Sequence, residues 1–313
     1  MQWRRFLMSG GAALGGVAAF NLLARRKVAP LPNLIGGEEG WMEWRGHRLA
    51  YTSRGDGPPL LLLHSIGLSS WSYEWRHNVD ALSTSYTVHT LDLLGFGRSD
   101  RPGIHYSPRL YLSLIGDFVR RVVQAPVALV GAGLSGAYAV ELAANDPAQF
   151  PLLALVAPTG LARLRGRPTT TDGAGRQLVS TPVVGTAAWN ARVTRPALRR
   201  ALLEAYYRDR RVTPELLDVA VATTHQPGAK FAPAAWQASQ LNLDIRAALR
   251  RLLQPTLLVW GAQAELNPVE ESFAYRALKR DLRVAILDPA GDQPQDERPE
   301  EFDEVLLDFL RSA

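Results

Sequence analysis

The sequence predicts an α/β domain in which a mostly parallel sheet carries helices on both faces. Short apolar runs alternate along the chain with segments of helical apolar spacing, and this alternation requires parallel strands joined by crossover helices. The run Leu60–Leu63 is continuously apolar, which is typical of a strand buried on both faces. Between Thr159 and Gln254 the alternation stops and helical patterns follow, so we expect an inserted helical segment there.

Each element is predicted from its local pattern. Two strand-like runs flank the turn Arg45-Gly46-His47 and predict a hairpin of Met42–Trp44 with Arg48–Ser53. Further strands are predicted at Leu60–Leu63, Tyr86–Leu91, Val127–Val130, Leu152–Val156, Thr256–Trp260 and Arg283–Leu287. Helices are predicted around Trp71–Leu82, Tyr111–Val123, Gly136–Asn145, Glu270–Lys279 and Pro299–Arg311, and within the insertion at Pro196–Arg208 and Pro214–Ala222.

Composition excludes several classes of protein. The chain is 47% apolar and 21% charged, an ordinary globular balance that excludes a disordered chain. It has no cysteine, which excludes disulfides, thiolate metal sites and cysteine nucleophiles, and no metal-ligand spacing or phosphate-binding glycine loop is recognisable. We therefore expect no metal and no cofactor.

The net charge of +5 comes entirely from the N-terminus. Residues 1–30 contain five basic residues and no acidic one, and the other 283 residues contain 30 of each. This distribution does not predict nucleic-acid binding, because the basic surplus flanks a single hydrophobic segment.

That segment, Phe6–Leu23, is an uncharged run of 18 residues. A helix of this length spans roughly 27 Å, close to the thickness of the hydrocarbon core of a bilayer. Two arginines precede the run, and two arginines and a lysine follow it, a pattern typical of anchors at the two membrane interfaces. Residues 1–27 are thus predicted to be a membrane anchor, followed by a Pro- and Gly-rich linker at 28–40. The alternative is a signal that is cleaved on export. The charge pattern does not indicate which side of the membrane the domain occupies.

Small residues form a stripe along the predicted anchor. Gly11 and Gly15 make a G-x-x-x-G pair, and Ala19 continues the same spacing. In lipid, such a stripe allows a second helix to approach closely. A partner transmembrane helix is therefore expected on this face, although small residues are also common in signal peptides.

Five strings of residues, in order along the chain, resemble the α/β-hydrolase family in the branch with a lid after the sixth strand. They are Leu60–Gly67, Asp92–Ser99, Val130–Gly136, Pro255–Gly261 and Pro289–Pro299. The resemblance implies an eight-stranded, mostly parallel sheet. Its core would comprise residues 41–158 and 255–313, and residues 159–254 would form a helical lid. It also implies loops after strands five, seven and eight that in the family carry a serine, an acid and a histidine.

In this chain the resemblance assigns those three positions to Gly133, Ala264 and Asp292. None of the six histidines lies beyond residue 225, so none can follow the eighth strand. Without nucleophile, acid and base, the acyl-enzyme route is not expected. Two neighbouring residues leave alternatives open: Ser135 follows Gly133 by two positions, and Glu265 follows Ala264 directly. We interpret Ser135 as a first-turn serine that satisfies helix N–H groups.

The resemblance also implies a remnant of the ligand site. The oxyanion donors would be the backbone N–H groups of Ile66 and Leu134. His64 is interpreted as a brace for its loop, and Ser65, in place of a glycine, adds a hydroxyl. Asp292 would be either a proton acceptor or, as we favour, solvated or paired with an arginine.

The predicted ligand-binding residues are those around this remnant: His64, Ser65, Ile66, Leu134, Ser135 and Glu265. The ligand expected there is an apolar small molecule. Four tryptophans either line an apolar cavity under the lid or belong to the core: Trp71, Trp75, Trp189 and Trp236.

Two classes of function follow from the sequence. The first is a membrane-anchored protein of this fold without hydrolase chemistry, acting as a binding or assembly subunit of a membrane complex. The second is an enzyme that works without a serine, such as a lyase, isomerase or cyclase, or an atypical hydrolase with a displaced triad.

Overall fold

The computed structural model describes residues 28–163, 165–166, 181 and 184–312. Among the helices within these ranges, none is long and apolar enough to cross a membrane. The predicted anchor at Phe6–Leu23 and its small-residue stripe lie outside the described residues.

The described strands form one eight-stranded sheet in the order β1-β2-β4-β3-β5-β6-β7-β8. β2 pairs antiparallel with both β1 and β4, and all other neighbours are parallel. The mostly parallel sheet predicted from the sequence is thus confirmed. The strands are β1 (Glu38–Trp44), β2 (His47–Arg54), β3 (Pro59–Leu63), β4 (Thr87–Leu91), β5 (Ala128–Ala132), β6 (Leu153–Val156), β7 (Thr256–Gly261) and β8 (Arg283–Leu287).

The helices follow the strands or belong to the insertion between β6 and β7. Outside the insertion they are α1 (Val79–Leu82), α2 (Pro108–Phe118), α3 (Gly133–Asn145), α9 (Glu271–Leu278), α10 (Pro294–Glu297) and α11 (Pro299–Ser312). Those described within the insertion are α4 (Val184–Arg192), α5 (Arg195–Ala205), α6 (Pro214–Thr224), α7 (Phe231–Gln237) and α8 (Arg246–Arg251).

Burial on both faces explains the continuously apolar strands. Leu61 and Leu63 of β3 belong to one hydrophobic cluster, whereas Leu60 and Leu62 belong to another on the opposite face. Successive side chains of a strand point to opposite faces, so a strand covered on both sides needs an apolar residue at every position.

Two predicted elements differ from the structure. The helix expected over Trp71–Leu82 is split into a 3₁₀ turn at Ser72–Trp75 and the short helix α1. Asn78, between the two, donates its side-chain amide to Gln295 O and to the Asp303 carboxylate, and these distant partners fix the break. The linker predicted at 28–40 is also shorter, because Glu38–Gly40 pairs with Tyr51–Ser53 as part of β1.

The helices between β6 and β7 pack on loops that follow the strands. Leu68, in the loop after β3, packs against a cluster formed by the insertion residues Trp189, Val193, Leu198, Leu217 and Ala229. The loop after β8 also contacts this segment, because the Asp292 N–H donates to Ala205 O at 2.9 Å. The insertion, hereafter the lid, therefore covers the carboxyl ends of the strands.

Two adjacent carboxylates of α10 fasten the lid to the core. Asp296 accepts hydrogen bonds from Arg76 at 2.7 and 2.8 Å and from the buried hydroxyl of Tyr206 in the lid. Glu297 accepts the N–H groups of Tyr207 and Arg208 at 3.2 and 3.0 Å. Because Asp296 and Glu297 are both buried, these charge-assisted bonds define where the lid chain leaves α5.

Candidate functional site

The turn between β5 and α3 carries Gly133 in a left-handed conformation, with φ of +53°. A Cβ added at Gly133 would lie 3.5 Å from the Cβ of Ser65 and would meet no side chain closer than that. This is ordinary van der Waals distance, so the position has room for a side chain. The glycine is explained by backbone conformation, and it leaves the space above the turn empty.

Ser135 lies beneath this turn. Its side chain has no exposed surface, and its hydroxyl donates to His64 O at 2.6 Å. Ser135 was predicted to bond to N–H groups at the start of its helix, and this prediction is wrong, because its hydroxyl donates to a carbonyl of another loop. Ser135 joins α3 to the loop after β3, and its hydroxyl does not reach the space above Gly133.

His64 is fully buried and braces two loops. Its Nε2 accepts the Leu93 N–H at 3.0 Å, and its Nδ1–H donates to Ser65 O at 2.6 Å. Burial lowers the pKa of His64, although the nearby carboxylate of Asp92 opposes this shift. A neutral imidazole with both nitrogens engaged holds the loops after β3 and β4 together, and it exposes no surface to a ligand.

Asp292 ties the loop after β8 to the loop after β7. Its carboxylate accepts three backbone N–H groups, from Glu265 at 3.1 Å, Leu266 at 2.9 Å and Asn267 at 2.7 Å. Desolvation raises the pKa of Asp292, and these hydrogen bonds act in the opposite direction. The favoured interpretation was a carboxylate that is solvated or paired with an arginine. Backbone donors instead occupy both carboxylate oxygens, and the Arg163 charge acts on Asp292 without an ion pair between the described residues.

Sequence reasoning missed Asn267, which extends this connection to the site. Its side-chain amide donates to Ala157 O at 2.6 Å and to Pro158 O at 2.9 Å, in the loop after β6. The next residue of that loop, Thr159, donates its N–H to Gly133 O at 3.2 Å. The loops after β8, β7 and β6 are thus connected by hydrogen bonds to the turn after β5.

The two predicted positions in the strand-seven loop, Ala264 and Glu265, make no side-chain hydrogen bond to a described residue. Ala264 is buried and contributes only a methyl group. The Glu265 side chain is exposed, and the described contact of this residue with Asp292 is made by its backbone N–H. Within the described ranges, no group of three histidine, aspartate or glutamate residues is placed to hold a metal ion.

A second missed residue, Glu74, lies beside the empty position. Its carboxylate accepts the Ser65 N–H at 2.6 Å and the Ser65 hydroxyl at 2.8 Å, and that hydroxyl is 3.0 Å from the Ser70 hydroxyl. Desolvation raises the pKa of Glu74 to about 8, although the hydrogen bonds from Ser65 oppose it. The sequence feature that could have indicated Glu74 is Ser65, because a partly buried hydroxyl requires a hydrogen-bond partner.

The predicted oxyanion donors are the N–H groups of the residues that follow Ser65 and Gly133, namely Ile66 and Leu134. Leu134 is in the first turn of α3, where N–H groups have no partner within the helix. The Ile66 N–H makes no hydrogen bond to any described residue. With the Ser65 hydroxyl and the Glu74 carboxyl, these groups form a polar patch around Gly133.

The four tryptophans are divided between core and lid. Trp71 and Trp75 are buried, and Trp75 packs in the core cluster that contains Phe302. Trp189 is buried in the lid cluster and donates its indole N–H to Thr224 O at 2.9 Å. Trp236 is partly buried against the main core. Trp75, Trp189 and Trp236, which pack in or against hydrophobic clusters, therefore fit the core interpretation better than a cavity lining.

Comparison with known proteins identifies the class. Residues 60–305 match the model of the alpha/beta hydrolase family, so the chain belongs to that family. It is 25% identical to 2-hydroxy-6-oxo-2,4-heptadienoate hydrolase of Pseudomonas putida over 265 residues, which cover 82% of this chain and 90% of that protein.

Two solved structures resemble the whole fold. A serine hydrolase involved in carbazole degradation superposes with a TM-score of 0.74 and 20% identity over 89% of this chain and 100% of that one. A membrane phospholipase A superposes with a TM-score of 0.71 and 23% identity over 99% of this chain and 97% of that one. At these identities, the two likenesses establish the fold.

We predict that Gly133→Ala destabilises the protein by about 1 kcal/mol, because alanine disfavours the left-handed region while the space around the position is free. The matched control is Gly46→Ala in the β1–β2 turn, where φ is +78° and nothing lies within 4 Å of the added Cβ. Urea unfolding should give similar losses for the two. A much larger loss at Gly133 would show that the space above the turn is filled.

We also predict that stability falls as pH rises from about 4.5 towards about 8, by up to about 1.4 kcal/mol per pH unit from Glu74 alone. Across this window the folded state keeps a proton on Glu74 that the unfolded state has released. Glu74→Gln, which resembles the protonated form, should flatten the decline. Asp303, with a pKa raised to about 7, titrates in both proteins, so the difference between their melting curves isolates Glu74. Parallel curves would contradict the assignment.

Proposed function

We propose that this protein is a membrane-anchored member of the alpha/beta hydrolase family that acts without serine-hydrolase chemistry, as a binding or assembly subunit of a membrane complex. One observation carries the proposal. The residue at the histidine position, Asp292, uses its carboxylate to hold the strand-seven loop, while the nucleophile position, Gly133, has no side chain.

Acyl transfer needs a nucleophile, a general base and a group that orients the base. Three described histidines are held by other contacts. His64 is fixed between two loops, and His225 bonds to Val221 O in the lid. His89 bonds to the Ser53 hydroxyl on β2 and β4. The carboxyl ends of the strands keep their oxyanion donors and lose the groups that would use them, which favours binding over turnover.

The membrane part of the proposal rests on the apolar run Phe6–Leu23 with its flanking basic residues. The likeness of the fold to that of a membrane phospholipase A supports it, because that protein is associated with a membrane. The small-residue stripe through Gly11 and Gly15 would provide the contact with a partner helix.

A second candidate function, a serine-independent enzyme, is favoured by the patch around Gly133. The Ser65 hydroxyl and the Glu74 carboxyl lie together beside the oxyanion donors, and a carboxyl with a pKa of about 8 can exchange a proton near neutral pH. An apolar substrate with a carbonyl group would suit such a site. In this alternative Glu74 takes the acid–base role, because Asp292 is committed to the loops.

We expect no turnover of short p-nitrophenyl esters above a heat-denatured control, and no labelling by a fluorophosphonate probe. Gly133→Ser should remain inactive, because the new hydroxyl would lack a base. Ester hydrolysis that is abolished by Ser135→Ala would overturn the proposal. Hydrolysis or lyase activity that is abolished by both Ser65→Ala and Glu74→Gln would establish the second candidate instead.

We expect the full-length protein to remain in the membrane fraction after extraction at high pH and to co-purify with a partner in mild detergent. Gly11→Leu with Gly15→Leu should release the partner while the protein stays in the membrane, since bulky side chains prevent close helix approach. Ala13→Leu with Val17→Leu is the matched control on the opposite helix face, and it should keep the partner. A mature protein that starts beyond residue 25 would show that the segment is a cleaved signal.

A further inference from the structure

The charges of the globular part are divided between lid and core. Residues 159–254 contain 15 lysines and arginines and six acidic residues, a net charge of +9. Residues 31–158 and 255–313 contain 15 basic and 24 acidic residues, a net charge of −9. The domain is neutral as a whole, but residues 184–243, which include the described lid helices α4–α7, contain eight basic and four acidic residues and are therefore positive.

Several of the lid's charges are exposed and unpaired. Arg199 and Arg200 on α5, and Arg210 shortly after it, are exposed and form no ion pair with any described residue. We call these three the lid arginines. They differ from Arg195 and Arg246, which pair with Asp218 and Asp244. Their guanidinium groups are free to bind an anionic partner.

The chain that leads to the predicted anchor leaves the domain at the lid. The side-chain amide of Gln226, which follows α6, donates to Ala29 O at 2.8 Å. Ala29 is six residues beyond Leu23, the end of the apolar run, and six residues span at most about 21 Å. The α6 helix packs against α5 through the cluster of Leu198 and Leu217. The helix that carries Arg199 and Arg200 thus packs against α6, and the residue two positions after α6 holds Ala29.

We propose that the lid faces the bilayer and that the lid arginines bind the phosphate groups of anionic lipids. The inference rests on the membrane anchoring proposed above. An anionic surface attracts basic residues only within about a Debye length, roughly 8–10 Å, so the short connection is essential. Arginine is suited to this contact, because its planar fork matches phosphate oxygens. The opposite orientation would place the acidic core against an anionic surface.

This orientation also directs the patch around Gly133 towards the membrane. The lid covers the carboxyl ends of the strands, so a ligand that leaves the bilayer would pass the lid to reach the patch. The ligand class that fits this path is an amphiphile with an apolar chain, delivered from the membrane.

The test uses the absence of native cysteine, which allows one fluorophore to be placed at a time. Ala191→Cys labels the exposed end of α4 in the lid. Ser312→Cys labels the opposite end of the domain, since the Ser312 hydroxyl lies 3.5 Å from Arg283, the first residue of β8. Full-length protein is placed in nanodiscs of phosphatidylglycerol, or of phosphatidylcholine alone, with a nitroxide quencher on a fraction of the headgroups.

In phosphatidylglycerol we expect strong quenching at position 191 and little at position 312, and the difference should shrink at high salt or in phosphatidylcholine. Arg199→Gln with Arg200→Gln should weaken the lid-down orientation by about 25-fold, or about fivefold per arginine. The matched control is Arg120→Gln with Arg121→Gln, an exposed arginine pair that follows α2, and it should change nothing.

The outcomes separate this inference from the proposed anchoring. Protein that enters the nanodiscs but shows equal quenching at both positions, or quenching that is independent of lipid charge, overturns the lid-down orientation and leaves the anchor intact. Protein that does not enter the nanodiscs overturns the anchor, and the orientation with it.

Discussion

The carboxylate of Asp292 organises the carboxyl edge of this sheet. Three backbone N–H groups of the strand-seven loop converge on it, and Asn267 carries the connection to the strand-six loop and so to Gly133. A carboxylate that accepts several N–H groups forms strong charge-assisted bonds in a partly buried position. Removing the carboxylate would take the acceptor away from three backbone N–H groups at once, so Asp292 holds the strand-seven loop in its position beside the strand-eight loop.

A second buried carboxylate, Asp92, keeps the other half of the site in place. It accepts the N–H groups of Ser72 and Arg98 and pairs with the Arg98 guanidinium at 2.8 Å. Although desolvation opposes it, the Arg98 charge holds the pKa of Asp92 below its usual value. Asp92 therefore joins the loop after β4 to the segment that begins at Ser72. The side chain that holds these segments, Asp92, is different from the residues at the three positions that the family uses for catalysis.

The sequence was sufficient to predict the strands of the sheet, but it predicted only some of the residues of the site. Strands such as Leu60–Leu63 are predictable because burial on both faces leaves a continuous apolar signature. Gly133, Ala264 and Asp292 were located by resemblance to the family, which assigns positions but not contacts. Glu74 and Asn267 were missed because their partners are determined by the packing of loops: Asn267 bonds to residues about 110 positions away. No local pattern encodes such a pair.

The division of charge between lid and core is a second property that the sequence alone does not reveal. The net charge of the whole chain does not reveal the charge of the lid segment. The +9 of residues 159–254 and the −9 of the remaining globular residues cancel, and only the N-terminal surplus remains. The division has physical meaning because the described lid helices α4–α7 lie together over one edge of the sheet, and the field of a surface depends on where its charges lie and not on their sum. The contact of Gln226 with Ala29 holds residue 29, six positions beyond the end of the apolar run, against the lid. A domain that is neutral overall can in this way present a basic face to an anionic surface and keep its acidic body away from it.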